Sequence, residues 1–407
     1  MSKQWTVDVL KVQTTTPSQS TDTLYANGRM QVQVIVLIYA VEIDESKEEK
    51  QYHLSQAELD SIELVDYYYT NTQLTGDWSY SNTYNGWYQT LEPAATATTT
   101  QAILKASSDS NVSQPKTYWV TTTAVENKNI AARIKQPDGK VITSRSGMLD
   151  SHVTLTGKSP IIYTTDKITA SQEDTSEGTY PFYWEIKGNE LNLDVKKYEN
   201  VHWDQKNYYI STVNHPLMKA EIHGYDSDGY QNGNQYSYRL MNCYAYSTPD
   251  KKNLKLYYIW KYGSEARKVT GLRREESIEN ESWSIKLQAD VEAFISVNQK
   301  PNALCLTRMA VDMYDFKVYQ IEGFWGKEWH YPCWFELWDV YGNSGKFSAS
   351  FSENDNTIRI GNSNPAVHER AIAATPILRE TAEADSQTNI SKGRGITETT
   401  EGLIIQL

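Results

Sequence analysis

Between His223 and Asn234 the chain reads His-Gly-Tyr-Asp-Ser-Asp-Gly-Tyr-Gln-Asn-Gly-Asn. Asp226, Asp228, Asn232 and Asn234 are hard oxygen donors on a glycine-rich loop, the donor set that calcium takes. The order departs from an EF-hand loop: glycine comes too early, and Ser237 stands where a bidentate Glu would close the shell. A long turn whose Asp and Asn side chains cap their own backbone explains the same residues. The default expectation is no cofactor, with calcium the one to check. His202 and Asp204 lie two apart, so on a strand they would share a face as half a metal site, an acid–base pair or a surface ion pair. Glu336 and Asp339 sit beside Trp334 and Trp338, carboxylates and rings together as in a sugar-cleaving site. Three residues apart on a strand, they face opposite sides and cannot act as that pair. Asp339 fits better as a hairpin residue bonding turn N–H groups. No Gly-x-Ser-x-Gly elbow, P-loop, His-Glu-x-x-His or Gly-x-Gly-x-x-Gly motif occurs, and none of the seven His has a second His at ligand spacing. These residues point to a protein that is not an enzyme.

Binding chemistry is better represented. The chain has 29 Tyr and 12 Trp against 7 Phe. Tyr and Trp keep a polar tip and suit half-buried faces and binding surfaces. Two loops concentrate them. Asp77 to Tyr88 has the Tyr, Ser, Asn, Gly and Trp content of an antibody paratope, with Trp78, Tyr80, Tyr84 and Trp87 as candidate contacts. Phe324 to Trp334 alternates rings with Gly, Pro and charge, with Trp325, Trp329, His330 and Trp334 as candidates. Flat rings in such loops stack on sugar C–H faces or anchor a protein partner. The competing use of large aromatics is to fill a wide core, which better suits Trp on strands such as Trp260 and Trp338.

Charge and the chain ends narrow the partners. A net charge of −12 argues against nucleic acid or an anionic membrane as partner. The main basic cluster, Arg267-Lys268 and Arg273-Arg274, is followed at once by Glu275, Glu276, Glu279 and Glu281. The longest apolar run, Val34 to Val41, is far short of the ~20 residues of a membrane helix, so no transmembrane segment is expected. The N-terminus has no Sec-type apolar run, so synthesis in the cytoplasm, with later release or export, is the expectation. Three cysteines without CxxC spacing form neither a disulfide framework nor a zinc site.

The elements that must position these loops are strands. Helical periodicity is confined to short stretches: Ser55 to Ile62, with a Ser cap and Glu58 at the capping-box position, and Ala366 to Ile372. Elsewhere, short runs of β-branched and aromatic residues alternate with Asn-Gly and Asp-Gly turns, the pattern of antiparallel hairpins. Met30 to Val41 is a central strand. Ile130–Ile134, Asp138-Gly139 and Val141–Thr143 form a hairpin, and so do Phe335–Val340 and Lys346–Phe351. The expected fold class is all-β, with two antiparallel β-sandwich domains. Residues 1–165 form an Ig-like sandwich, 166–180 a linker whose stretch from Thr169 to Thr179 has no large apolar residue, and 181–361 a larger aromatic-rich sandwich. Residues 362–407 form an extended arm, aromatic-free from Ala366 onward.

Tyr25-Ala26-Asn27-Gly28 before a long strand, and Trp338-Asp339-Val340-Tyr341-Gly342-Asn343, resemble turns of bacterial immunoglobulin-like modules of the adhesin and invasin type. The resemblance covers under a tenth of the chain and implies a sandwich fold with a role in adhesion. The leading expectation is a recognition protein that binds a cell-surface carbohydrate or protein through its aromatic loops. A second is a bacterial toxin or virulence protein, pore-forming or insecticidal-like, because Thr117–Ala124 alternates as a membrane strand would. A third is a self-assembling or appendage protein, a homo-oligomer whose C-terminal arm adds a strand to a neighbour's sheet.

Overall fold

The computed structural model describes residues 4–43, 48–91, 113–145, 150–188, 193–223, 230–231, 234–235, 243–247, 253–260, 262–263, 267–279, 283–296, 300–312, 334–351, 358–363 and 405–406. It is all-β and divides into two units: Met1–Ile162 with Val340–Asn343, and Tyr163–Asp339 with Ser344–Leu407. Among the described residues no helix is long and apolar enough to cross a membrane.

The first unit contains β1 (Trp5–Thr14), β2 (Thr21–Tyr25), β3 (Val32–Ile43), β4 (Glu49–Tyr52), β5 (Glu63–Asp66), β6 (Trp78–Ser81), β7 (Gln114–Thr122), β8 (Asn127–Lys135), β9 (Val141–Thr143) and β10 (Val153–Lys158). One sheet runs β1-β3-β7-β6 with β4 beside β3, and the other runs β2-β10-β8-β5 with β9 beside β8. Period-two alternation sets the inner faces. Val32, Val34, Val36, Ile38 and Ala40 of β3 are at most 1% exposed and meet Leu64, Ile130, Ala132 and Leu155 of the opposite sheet in one core. The expected central strand and the 130–143 hairpin are both present. In that hairpin Gly139 takes φ +87°, and Asp138 accepts the Lys140 N–H at 2.9 Å. The pair β2 and β10 is parallel, an exception to the antiparallel rule. These strands are far apart in sequence, so no hairpin constrains their direction. The Ser55 capping box is formed at the head of α1 (Gln56–Asp60).

Four residues from late in the chain complete this unit. Val340 and Tyr341 join its core, and Asn343 is 1% exposed. Asn27 Nδ2 donates to the Tyr341 carbonyl and to Asn343 Oδ1, each at 3.0 Å. Asn343 Oδ1 also accepts the Ile161 N–H at 3.2 Å, and Tyr88 N–H donates to the Val340 carbonyl at 2.9 Å.

The second unit contains β11 (Ile168–Gly188), β12 (Leu193–Thr212), β13 (Leu217–His223), β14 (Tyr230–Gln231), β15 (Asn234–Gln235), β16 (Cys243–Ser247), β17 (Asn253–Ile259), β18 (Arg267–Glu279), β19 (Trp283–Ser296), β20 (Leu304–Asp312), β21 (Trp334–Asp339), β22 (Ser344–Phe351), β23 (Ile358–Asn362) and β24 (Ile405–Gln406). A large sheet runs β16-β17-β20-β12-β11-β19-β18, a second runs β13-β21-β22-β23-β24, and β14 pairs with β15. The expected hairpin at the end of the aromatic-rich region is β21–β22, with Phe335 stacked on Phe347 at 5.5 Å beneath it.

One expectation changes. The stretch 166–180 is not a linker: after a 3-10 turn at Thr165–Lys167, β11 begins at Ile168 and pairs residue by residue with β12. Its Ser, Thr and Glu content reflects exposed side chains, since Thr169, Gln172, Glu173 and Glu177 face solvent. Backbone pairing holds this stretch, and polar side chains suit an exposed edge. The C-terminal segment contributes β24, which pairs with β23 of the same chain through Arg359–Gln406 and Ile360–Ile405. The expected helix at Ala366 to Ile372 lies outside the described residues.

Gly342 is the weak point of the inserted turn. Its φ is +81°, and a Cβ there would lie 2.7 Å from the Arg29 Cβ. Gly342→Ala is expected to cost the first unit about 2 kcal/mol or more. Hydrogen exchange of the β3 amides reads this directly, and unchanged protection would show that the turn is dispensable.

Candidate functional site

The best-defined exposed chemistry lies at Asp66–Thr70, just after β5. Three consecutive tyrosines cannot all enter a core, and here they do not. Tyr67 is half-buried, while Tyr68 and Tyr69 are 59% and 72% exposed. Exposed rings usually cost order, so what holds the loop matters. Asp66 Oδ1 accepts the N–H groups of Tyr68 at 2.7 Å and Tyr69 at 3.1 Å, closing an Asx turn. Its other oxygen pairs with the Lys128 ammonium at 2.5 Å. Tyr67 N–H donates to the Asn129 carbonyl at 2.9 Å. Arg133 reaches from β8 to Glu63 at 2.6 Å and to the Thr70 carbonyl at 3.0 Å.

Arg145 completes the arrangement from the far end of the β8–β9 hairpin. Its Nη1 donates to the carbonyls of Tyr67 at 3.2 Å and Tyr68 at 2.8 Å. Its guanidinium carbon lies 5.2 Å from the Tyr67 ring centre and 5.9 Å from that of Tyr68, within cation–π range. The two rings meet edge to face at 5.2 Å, and Tyr67 also packs on His152 at 4.3 Å. Tyr67 hydroxyl donates to Asp150 at 2.7 Å, and Asn129 Nδ2 donates to the Tyr68 hydroxyl at 3.0 Å. The hydrogen bond to Asp150 pushes the Tyr67 hydroxyl above its ordinary pKa, so it remains a donor. Burial pushes the Asp66 carboxyl up. Lys128 and the Tyr68 and Tyr69 amides outweigh it, so the carboxyl ionises below the usual carboxylate range. The result is a rigid platform of Tyr, Arg, His and Asn with two rings presented to solvent.

The aromatic loop expected at 77–88 is divided by the fold. Its first residues form β6, where alternation turns Trp78 and Tyr80 inward and Ser79 and Ser81 outward. Trp78 is 3% exposed and its indole donates to Glu126 at 2.8 Å, so it is core and not a contact residue. Tyr80 is half-buried, edge-on to Tyr118 at 5.1 Å, and accepts from Gln73 at 2.9 Å. Tyr84 stays 39% exposed beside Trp119, 4.9 Å between ring centres, and its hydroxyl donates to the Trp87 carbonyl at 2.5 Å. Trp87 is half-buried, and Tyr88 is 55% exposed. The side chain of Gln31, 3% exposed, holds this loop by accepting the Asn85 N–H at 2.7 Å. Tyr84 and Tyr88 thus make a second, smaller aromatic surface on the first unit.

In the other expected loop, Trp325, Trp329 and His330 lie outside the described residues. Trp334 opens β21, is 7% exposed, and has the Lys346 ammonium 5.3 Å from its ring centre, so it is not an open stacking surface. Of the calcium candidates, Asp226, Asp228 and Asn232 lie outside the described residues, and Asn234 begins β15. Among the described residues, no group of three or more His, Cys, Asp and Glu is gathered for a metal. His202 and Asp204 pair separately: His202 Nε2 lies 3.6 Å from Glu177, and Asp204 accepts from Arg308. Asp339 is fully buried and accepts the Tyr163 hydroxyl at 2.9 Å, while Glu336 lies 3.8 Å from Lys346.

The Tyr67–Tyr69 platform escaped the sequence reading, although a signal was present. Asp followed by three Tyr places an Asx-turn former before rings that alternation cannot bury together. Arg145 and His152 carry no such signal, because only folding brings them to the loop. Compared with known proteins, the chain matches no family model, no curated protein and no solved structure.

The platform's order depends on the Asp66 charge. A depressed folded pKa means that this contribution is complete above the carboxylate's ordinary pKa and is lost as pH falls through the folded value. The protection factors of the Tyr68 and Tyr69 amides, exchange relative to the unfolded chain at the same pH, are expected to fall over that acidic window, and Asp66→Asn to show low protection already at pH 7. Equal protection in the variant and wild type would show that the Asx turn is not what orders the loop.

Proposed function

We propose that this is a non-enzymatic recognition protein whose first unit binds a cell-surface carbohydrate or protein through exposed tyrosines. One observation carries the reading: Tyr68 and Tyr69 are held out to solvent by a backbone that Asp66 and Arg145 fix in place. Rigid rings lose little conformational freedom on binding, so most of their buried area becomes affinity. Tyr and Arg are also the residue types that dominate binding hot spots. The two turns that resemble those of adhesin-type modules fit the same role.

Exposed rings can be truncated without opening the core. Tyr68→Ala with Tyr69→Ala, which removes the Tyr68 contacts to Tyr67, Arg145 and Asn129 but no core residue, is therefore expected to lower the melting temperature by no more than about 4 °C and to weaken target binding at least tenfold, about 1.4 kcal/mol or more. Labelled wild type and variant would be applied to a glycan array and to intact cells with and without protease treatment. Array binding identifies a sugar, and protease-sensitive cell binding identifies a protein. Undiminished binding by the double variant would remove the platform from the function.

A further inference from the structure

In the second unit, β12 and β20 pair so that Lys206 stands directly opposite Arg308, with Asp204 opposite Ala310 and Tyr208 opposite Leu306. Residues two apart on a strand share a face, so Asp204, Lys206, Tyr208 and Arg308 lie together on one side of the large sheet. Arg308 is 1% exposed. Its Nη2 donates to the Asp204 carboxylate, whose side chain is 32% exposed. Its Nε and Nη1 are buried with no hydrogen-bond partner. Among the described residues, it is the only charged side chain with buried, unpartnered nitrogens.

The opposite face of the same strands shows what satisfaction looks like. There Ser176, Gln205, Asn207, Thr307 and Trp260 form a continuous hydrogen-bonded chain. At Arg308 the sum does not close. Two cations side by side across a strand pair repel; Asp204 is the carboxylate that meets the guanidinium, while Glu177, opposite Asp204 on β11, is 80% exposed and lies 3.6 Å from His202. A buried guanidinium with open donors is costly unless an acceptor meets them. Tyr208 does not supply a negative charge, because burial raises its pKa. The half-exposed side, at Asp204 and Lys206, gives a solute a way in.

We propose that Arg308 and Lys206 form a binding site for a small oxyanion, a phosphate, sulfate or carboxylate group. Asp204 sets its affinity by competing for the guanidinium. The site is independent of the tyrosine platform and of its target.

The test is thermal unfolding of the full chain with sodium phosphate, sulfate or acetate, at ionic strength held constant with chloride. Wild type is expected to gain stability along a curve that saturates below about 10 mM, an affinity in the ordinary range for a small ion. Lys206→Met should weaken that response at least fivefold, and Arg308→Met should abolish it. If Arg308→Met does not fold, Asp204→Asn decides the matter. Removing the competing carboxylate should strengthen oxyanion binding severalfold, whereas a purely structural ion pair would only be lost. A response that never saturates, or that is identical in wild type, Lys206→Met and Asp204→Asn, is the general effect of excluded salts and overturns the proposal.

Discussion

The first unit depends on one side-chain amide. Asn27 Oδ1 accepts the N–H groups of Arg29 and Met30, each at 2.9 Å, and Nδ2 donates to the Tyr341 carbonyl and Asn343 Oδ1. Four polar contacts that would otherwise be lost in a turn entering the core are met by a single residue. Leaving such groups buried and unpaired costs about 1–3 kcal/mol apiece. Meeting them fixes where β3 starts, two residues past Met30. The start decides the parity of the whole strand, because a one-residue slip would turn Val32, Val34, Val36 and Ile38 outward. The core therefore inherits its register from a turn that itself needs Val340–Asn343 to be complete.

The same accounting explains how the aromatic excess is used. Where a ring is buried, the fold mostly uses Phe, as at Phe335 and Phe347, or gives the polar tip a partner, the Trp203 indole N–H being an exception. Trp78 finds Glu126, Trp260 finds Thr307, and the buried Tyr118 hydroxyl donates to the Ile62 carbonyl. Burial accordingly pushes the Tyr118 hydroxyl far above its usual pKa, so it serves as a neutral donor. Tyr at positions 68, 69 and 88 has no such demand and stays in water. The excess of Tyr over Phe is the composition of a protein whose rings sit at boundaries as well as in cores.

Much of this fold was legible because its signals are short-range. A capping box spans three residues, and Ser55 and Glu58 form it as their spacing dictates. Asp138-Gly139 and Gly342-Asn343 demand tight turns, and both hairpins formed around them. The misreading of 166–180 has an equally definite cause. Apolar content signals a strand only when one face is buried, and the first half of β11 is held by backbone pairing along exposed polar side chains. The exposed aromatic surface was half legible. Tyr84 stayed exposed as expected, but Trp78 was drawn inward by the alternation of β6, and the platform at Tyr67–Tyr69 was assembled from residues roughly 80 positions apart.

The sequence by itself determined the all-β class, the positions of the tight turns and the parity of the central strand, since each follows from neighbours two to four residues away. Tertiary structure decided which turns meet, which rings are core and which are surface, and that Lys206 and Arg308 stand side by side. These depend on pairings across tens to hundreds of residues, where many registers satisfy local preference equally. The need for most buried polar groups and for each apolar face to find a partner selects among them.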